Sequence, residues 1–266
     1  MTTRRADIGT RSVEREIAID APVEAVWKAL TDPVELARWF PLEARVTPGV
    51  GGEIRMSWAG GGKSSGRIEI WEPGRHLRTG EDPKASVPIA TDYYLRARSG
   101  GGTVLRVVSS GFGADEAWDE LYGGWGRGWD FELRGLRHYL EHHRGERRVV
   151  AYARVPYVSA DEDAWSRLVG PGGWLGERGV ANLAEGDRYA VRTTTGESIA
   201  GVVHAWQPPR QFSGTAEEWN NGLFRIELFG SVATVWLSIY GVREAEVRAL
   251  ESSWRESLAA VFSLPA

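Results

Sequence analysis

The chain contains no cysteine in 266 residues. That excludes a disulfide framework, a thiolate nucleophile, a cysteine-held zinc and an iron–sulfur cluster. It also has no apolar run close to the roughly 18 residues of a membrane-crossing helix; Val149-Val150-Ala151-Tyr152-Ala153 is among the longest. Arg4-Arg5 is followed by Ala6-Asp7-Ile8-Gly9-Thr10 rather than by an apolar stretch, which argues against a secretory or twin-arginine signal. A cytoplasmic location is the expectation. An excess of one charge is missing too: 32 basic side chains face 36 acidic ones, and neither half of the chain is basic. Nucleic acid is therefore not an expected partner, because phosphate binding demands a basic surface. Gly60-Gly61-Gly62-Lys63-Ser64 has no glycine five positions before Gly62, where Ser57 stands, so it reads as a hairpin turn and not as a phosphate loop.

Glycine and tryptophan are what the chain has in quantity, 33 and 13 residues respectively. Residues 12–20 alternate, with Val13, Arg15, Ile17 and Ile19 on one strand face. Ala21-Pro22 opens a short helix, with Asp20 as its candidate N-cap, and 32–40 continues in helical pattern to Pro41. Short strand-like runs follow at 42–47, 52–58, 63–71, 75–81, 90–98 and 102–110, separated by Gly-Gly and Pro-Gly turns. From Asp115 to His143 the period becomes helical, and Trp125, Trp129, Leu133, Leu136 and Leu140 form one apolar face. The order then recurs: a strand at 147–157, a helix at 161–169, strands at 187–193, 197–206, 210–217, 222–229 and 231–240, and a helix from about Val242 to Leu264. Gly51, Gly66, Trp71, Pro73 and Arg75 meet Gly186, Gly201, Trp206, Pro208 and Arg210 at a constant offset, and Trp129 and Leu133 meet Trp254 and Leu258 at a shorter one. Such ordered self-similarity marks a repeated domain. The expected division is 1–146 and 147–266.

Four separated segments carry a family resemblance: EREIAIDAPVEAVWKALTDPVELARWF, GRIEIWEPGRHL, TVLRVVSSGFG and GWDFELRGLRHYLE. In this order they resemble the START/Bet v 1-like (SRPBCC) superfamily, in the branch named for the activator of Hsp90 ATPase homologue. The resemblance covers nearly all of residues 12–143; the second copy follows it in outline, with PGGWLGERG in place of the second helix. It implies an α+β fold of two helix-grip domains, each a curved antiparallel sheet wrapped around a long C-terminal helix, with a hydrophobic cavity between. It also implies a hydrophobic small-molecule ligand, lipid- or polyketide-like. The alternatives are a polyketide cyclase or dehydratase, or a co-chaperone with a protein partner. Where relatives often read His-Ser-Gly-Phe, this chain has Ser109-Ser110-Gly111-Phe112, so an imidazole is missing from that place.

The candidate ligand-binding residues are Trp125, Trp129 and Leu133 on the first closing helix, Trp254 on the second, and Trp71 and Trp206 at the ends of equivalent strands. Tyr94, Arg96 and Arg106 join them on condition that the polar face of 90–98 looks inward, where guanidinium groups would orient a carbonyl. Strand patterning favours the opposite, a solvated face with ion pairs of little worth. The second domain is expected to have lost its pocket, with Trp236 and Phe262 filling the space. His138 and His142 share a helix face, but the H-E-x-x-H order is absent and neither a metal, a cofactor nor a catalytic residue is assigned.

Overall fold

The computed structural model describes residues 10–81 and 89–263; Arg4-Arg5 and Leu264 lie outside them. The chain divides into two compact units, Met1–Gly145 and Glu146–Ala266. The first runs β1 (Thr10–Ile19), α1 (Val23–Thr31), α2 (Pro33–Leu36), β2 (Glu43–Val46), β3 (Glu53–Ser57), β4 (Lys63–Glu72), β5 (His76–Glu81), β6 (Ala90–Ala97), β7 (Thr103–Gly113) and α3 (Asp119–His142). The second runs β8 (Arg148–Pro156), α4 (Asp161–Val169), β9 (Arg188–Arg192), β10 (Ser198–Gln207), β11 (Gln211–Ala216), β12 (Gly222–Phe229), β13 (Val232–Tyr240) and α5 (Glu244–Ser263).

Each unit is one antiparallel sheet closed by its long last helix, the helix-grip arrangement. The strand orders are β1-β7-β6-β5-β4-β3-β2 and β8-β13-β12-β11-β10-β9. The two orders correspond strand for strand once β2 is left out, so among the described residues the second sheet has no counterpart of that edge strand. The repeat extends to single hydrogen bonds. Gly51 N–H donates to Ile68 O at 2.8 Å and Gly186 N–H to Val203 O at 2.9 Å; Arg75 N–H donates to Glu72 O at 2.9 Å and Arg210 N–H to Gln207 O at 2.8 Å. The repeated glycines have a steric cause. A Cβ on Gly66 would stand 3.1 Å from the Gly80 carbonyl oxygen, and one on Gly201 only 2.2 Å from that of Thr215.

Helix boundaries follow local chemistry, with one correction. The N-cap of α1 is Pro22, without a side-chain bond; the carboxylate that caps is Asp32, which accepts from the N–H groups of Val34 and Glu35 and starts α2. The helical pattern of 32–40 yields only Pro33–Leu36, after which Trp39 turns inward, 2% exposed, and donates from Nε1 to Ala29 O at 2.9 Å. Among the described residues no helix is long and apolar enough to cross a membrane.

Candidate functional site

The register fixes which side chains look inward in the first unit. Tyr93 pairs with Leu77 and Val107 and its ring meets Trp129 of α3 edge-on at 5.8 Å, so this is the face against the helix. Alternation then places Thr79, Thr91, Leu105 and Ser109 inside on β5, β6 and β7, and Ser64, Ile68, Ile54 and Met56 inside on β4 and β3. The deep positions Ile68, Leu77, Leu105 and Leu133 are closed off from solvent. Toward β3 and the start of α3 burial is less complete: Phe40, Met56, Trp58, Ser64, Thr79 and Trp125 are only half-buried. Four aromatic rings define this end. Phe40 stacks on Trp39 at 5.0 Å, meets Trp58 edge-on at 5.4 Å and lies 5.9 Å from Trp129. The interior is thus apolar and aromatic, with one polar spot. Trp129 Nε1 donates to Ser109 Oγ at 3.0 Å, and Ser109 Oγ lies 3.0 Å from Thr91 Oγ1. Ser109, which stands where an imidazole was expected, serves a tryptophan instead.

The sequence candidates divide accordingly. Trp125, Trp129 and Leu133 are brought together on the inner side of α3; Trp125 packs on Phe112 at 5.8 Å, and its Nε1 is buried with no partner among the described residues. Trp71 sits edge-on to Trp27 of α1 at 5.2 Å, and Trp206 meets Trp165 of α4 at 5.6 Å. This repeated contact pins a strand end to the first helix of each unit. Tyr94, Arg96 and Arg106 lie on the outer face and do not reach the interior, which corrects their assignment as ligand contacts. Arg106 grips Glu14 through two bonds of 2.5 and 2.9 Å and lies 5.6 Å over the Tyr94 ring. Its guanidinium holds the Glu14 carboxyl below the ordinary value. Asp92 shares that outer face yet is 4% exposed, because His76 donates to it from Nε2 at 2.7 Å and Arg78 binds its other oxygen.

The second unit is closed differently from expectation. Trp236 packs on Tyr152 at 4.2 Å, on the face opposite Val235 and Leu237, and Phe262 stacks on Tyr157 at the rim; neither fills the centre. Trp174 does. It comes from the glycine-rich loop 171–179, is 0% exposed, stacks on Phe224 at 6.5 Å and meets Trp254 edge-on at 5.2 Å. Trp254 Nε1 donates to Glu197 Oε2 at 3.2 Å, where the equivalent Trp129 uses a serine. Burial raises the Glu197 carboxyl, but the hydroxyls of Thr193 and Thr195 and the Trp254 indole outweigh it and bring it below the usual 4.5. A lowered folded-state value stabilises above the unfolded value and is lost as pH falls through the folded one. Glu197→Gln is therefore expected to flatten the loss of stability between about pH 5 and pH 3, read by urea melts at a series of pH values; an unchanged slope would remove Glu197 from the account.

Other features carry no chemistry. A cleft of about 680 Å³ follows loop 171–179 and edge strand β9, but its Arg178 and Arg192 are balanced by Glu177 and Glu218. Gly62-Lys63-Ser64-Ser65-Gly66 has the spacing of a serine nucleophile turn, yet Ser64 lies inside a strand paired on both sides, not at a strand-to-helix elbow. Among the described residues no group of three His, Asp or Glu is placed to hold a metal.

Residues 20–141 match the family model described as activator of Hsp90 ATPase homolog 1-like protein, which gives the first unit homology to that family. No curated protein matches the chain. Among solved structures, protein MLL2253 from Mesorhizobium loti is 26% identical, with 50% of this chain and 98% of that one covered and a TM-score of 0.46. The Aha1 dimer from Colwellia psychrerythraea is 20% identical, with 51% and 99% covered and a TM-score of 0.46. The di-domain ARO/CYC BexL, from the BE-7585A biosynthetic pathway, is 16% identical, with 96% and 100% covered and a TM-score of 0.45.

Proposed function

We propose that this protein binds a hydrophobic small molecule, lipid- or polyketide-like, between the sheet and α3 of its first unit, and that the second unit is a closed copy without an interior site. The observation that carries the reading is the half-buried aromatic end of the first interior, where Phe40, Trp58 and Trp125 are left partly open beside the buried Trp129. An apolar, ring-lined hollow with few polar groups is the usual form of a small-molecule site. The homology of residues 20–141 supports it, since the resemblance implies such a cavity. The cyclase reading loses the residues proposed for it, because Arg96 and Arg106 are on the outside of the sheet.

Native mass spectrometry of freshly purified protein, followed by extraction and identification of what is bound, tests the proposal. One hydrophobic molecule per chain is the expected result. Apo protein that also shows no saturable change of tryptophan fluorescence with a panel of fatty acids and aromatic polyketides would overturn it.

A further inference from the structure

On the binding reading above, the structure assigns the polar end of the ligand: we propose that Thr91 donates a hydrogen bond to a neutral acceptor oxygen, a ketone, quinone or ester carbonyl, carried by a flat apolar body. Thr79, Thr91 and Ser109 stand directly opposite one another across β5, β6 and β7 on the inner face. They form a short row of hydroxyls running from the buried centre to the half-buried end of the wall.

The direction of the row follows from donor and acceptor counting. An indole N–H only donates, so Trp129 occupies one lone pair of Ser109 Oγ. Between Ser109 and Thr91 one proton is shared. If Thr91 gave it, the Ser109 proton would be stranded on a residue that is 0% exposed, with no acceptor among the described residues, an arrangement that buried groups avoid. Either direction leaves one hydroxyl proton without a protein acceptor, since Thr91 is itself only 7% exposed. Thr91 is the one of the pair that adjoins Thr79 and the less buried end of the wall, so the arrangement a ligand would complete has Ser109 donating to Thr91 and the Thr91 proton turned into the interior. Thr79, next in the row, makes no hydrogen bond among the described residues and borders the open end. Among the described side chains, those around this point, Ile68, Leu77, Tyr93, Val107 and Trp129, are uncharged. A carboxylate brought here would lose its water without gaining a cation, whereas a carbonyl gains a donor. Trp129 and Phe40 offer the flat faces on which the ring system would lie.

Three probes of one ring size test this: 1-acetonaphthone, with an acceptor oxygen; 1-ethylnaphthalene, of similar shape without one; and 1-naphthoate, with a charge. Ligand-observed NMR titrations of the full chain measure all three against wild type, Thr91→Val and Thr91→Ser. The ketone is expected to bind wild type about tenfold more tightly than the hydrocarbon, a difference of about 1.4 kcal/mol, with the naphthoate weakest. Thr91→Val should bring the ketone down to the hydrocarbon while leaving the hydrocarbon within about twofold, and Thr91→Ser, which keeps the hydroxyl, should preserve the preference. Equal binding of ketone and hydrocarbon in wild type, or a preference that survives Thr91→Val, would overturn the assignment and leave the hydrophobic site standing. Binding of none of the three would count against the site itself and the assignment with it.

Discussion

Trp254→Ala is expected to lower the stability of the second unit by about 3–5 kcal/mol, the range for removing a buried indole or phenyl ring. The indole is 0% exposed and lies between Trp174 and Phe224, both themselves sealed in the core. Neighbours of that size cannot collapse into the vacated volume, and the Glu197 carboxylate loses a donor at the same time. The equivalent change in the first unit, Trp129→Ala, is expected to cost less. One of its ring neighbours, Phe40, is only half-buried and leans on the equally half-buried Trp58, so side chains and water can move in. Urea unfolding followed by near-ultraviolet circular dichroism compares the two variants. A larger loss from Trp129→Ala than from Trp254→Ala would contradict the view that the second interior is the closed one.

Gly176→Ala is the second change of large effect, expected to cost about 3 kcal/mol from overpacking and left-handed strain together. Gly176 has φ +83, a conformation that L side chains rarely adopt, and a Cβ there would stand 2.3 Å from the Arg192 carbonyl oxygen. Both partners are backbone, so neither can swing away as a side-chain tip would. The loop that Gly176 holds against β9 is the one that delivers Trp174, whose carbonyl accepts from Thr194 N–H at 2.9 Å. The variant should therefore expose an indole as well as lose stability, seen as a red shift of tryptophan emission and faster acrylamide quenching. Gly172→Ala, a left-handed position with nothing within 4 Å, is the control for strain alone. If the two variants behave alike, the close approach to β9 is not what holds the loop.

The sheets were legible in the sequence because they are built from local signals. Alternation marked the strands, glycine pairs marked the turns, and Gly66/Gly201 and Trp71/Trp206 marked the repeat through steric and packing needs that recur in both copies. The interior was legible in part. Trp125, Trp129 and Leu133 follow from helical period, and the outward turn of Tyr94, Arg96 and Arg106 follows from the strand pattern that favoured it. Three things were out of reach. Phe40 and Trp58 flank turns, where no period indicates a face. Asp92 is buried on an outer face because His76 and Arg78, one strand away, fold over it, and single-strand alternation holds no such information. Trp174 sits in a loop whose glycines let backbone approach backbone, so its burial depends on tertiary fit alone; Trp236 alternates with Val235 and Leu237, and in a strand apolar on both faces only the pairing with β8 and β12 distinguishes the inner face from the outer.

Closure of the second interior also sets the arithmetic of binding. A ligand seeking the space between β9–β13 and α5 would have to displace Trp174, a residue with no exposed surface and aromatic contacts on two sides, at a cost of several kcal/mol before any contact of its own is made. A duplicated fold here does not mean duplicated occupancy. On the binding function proposed above, saturation is expected at one molecule per chain with a hyperbolic isotherm, since a site that occurs once gives no Hill coefficient above one within a single chain.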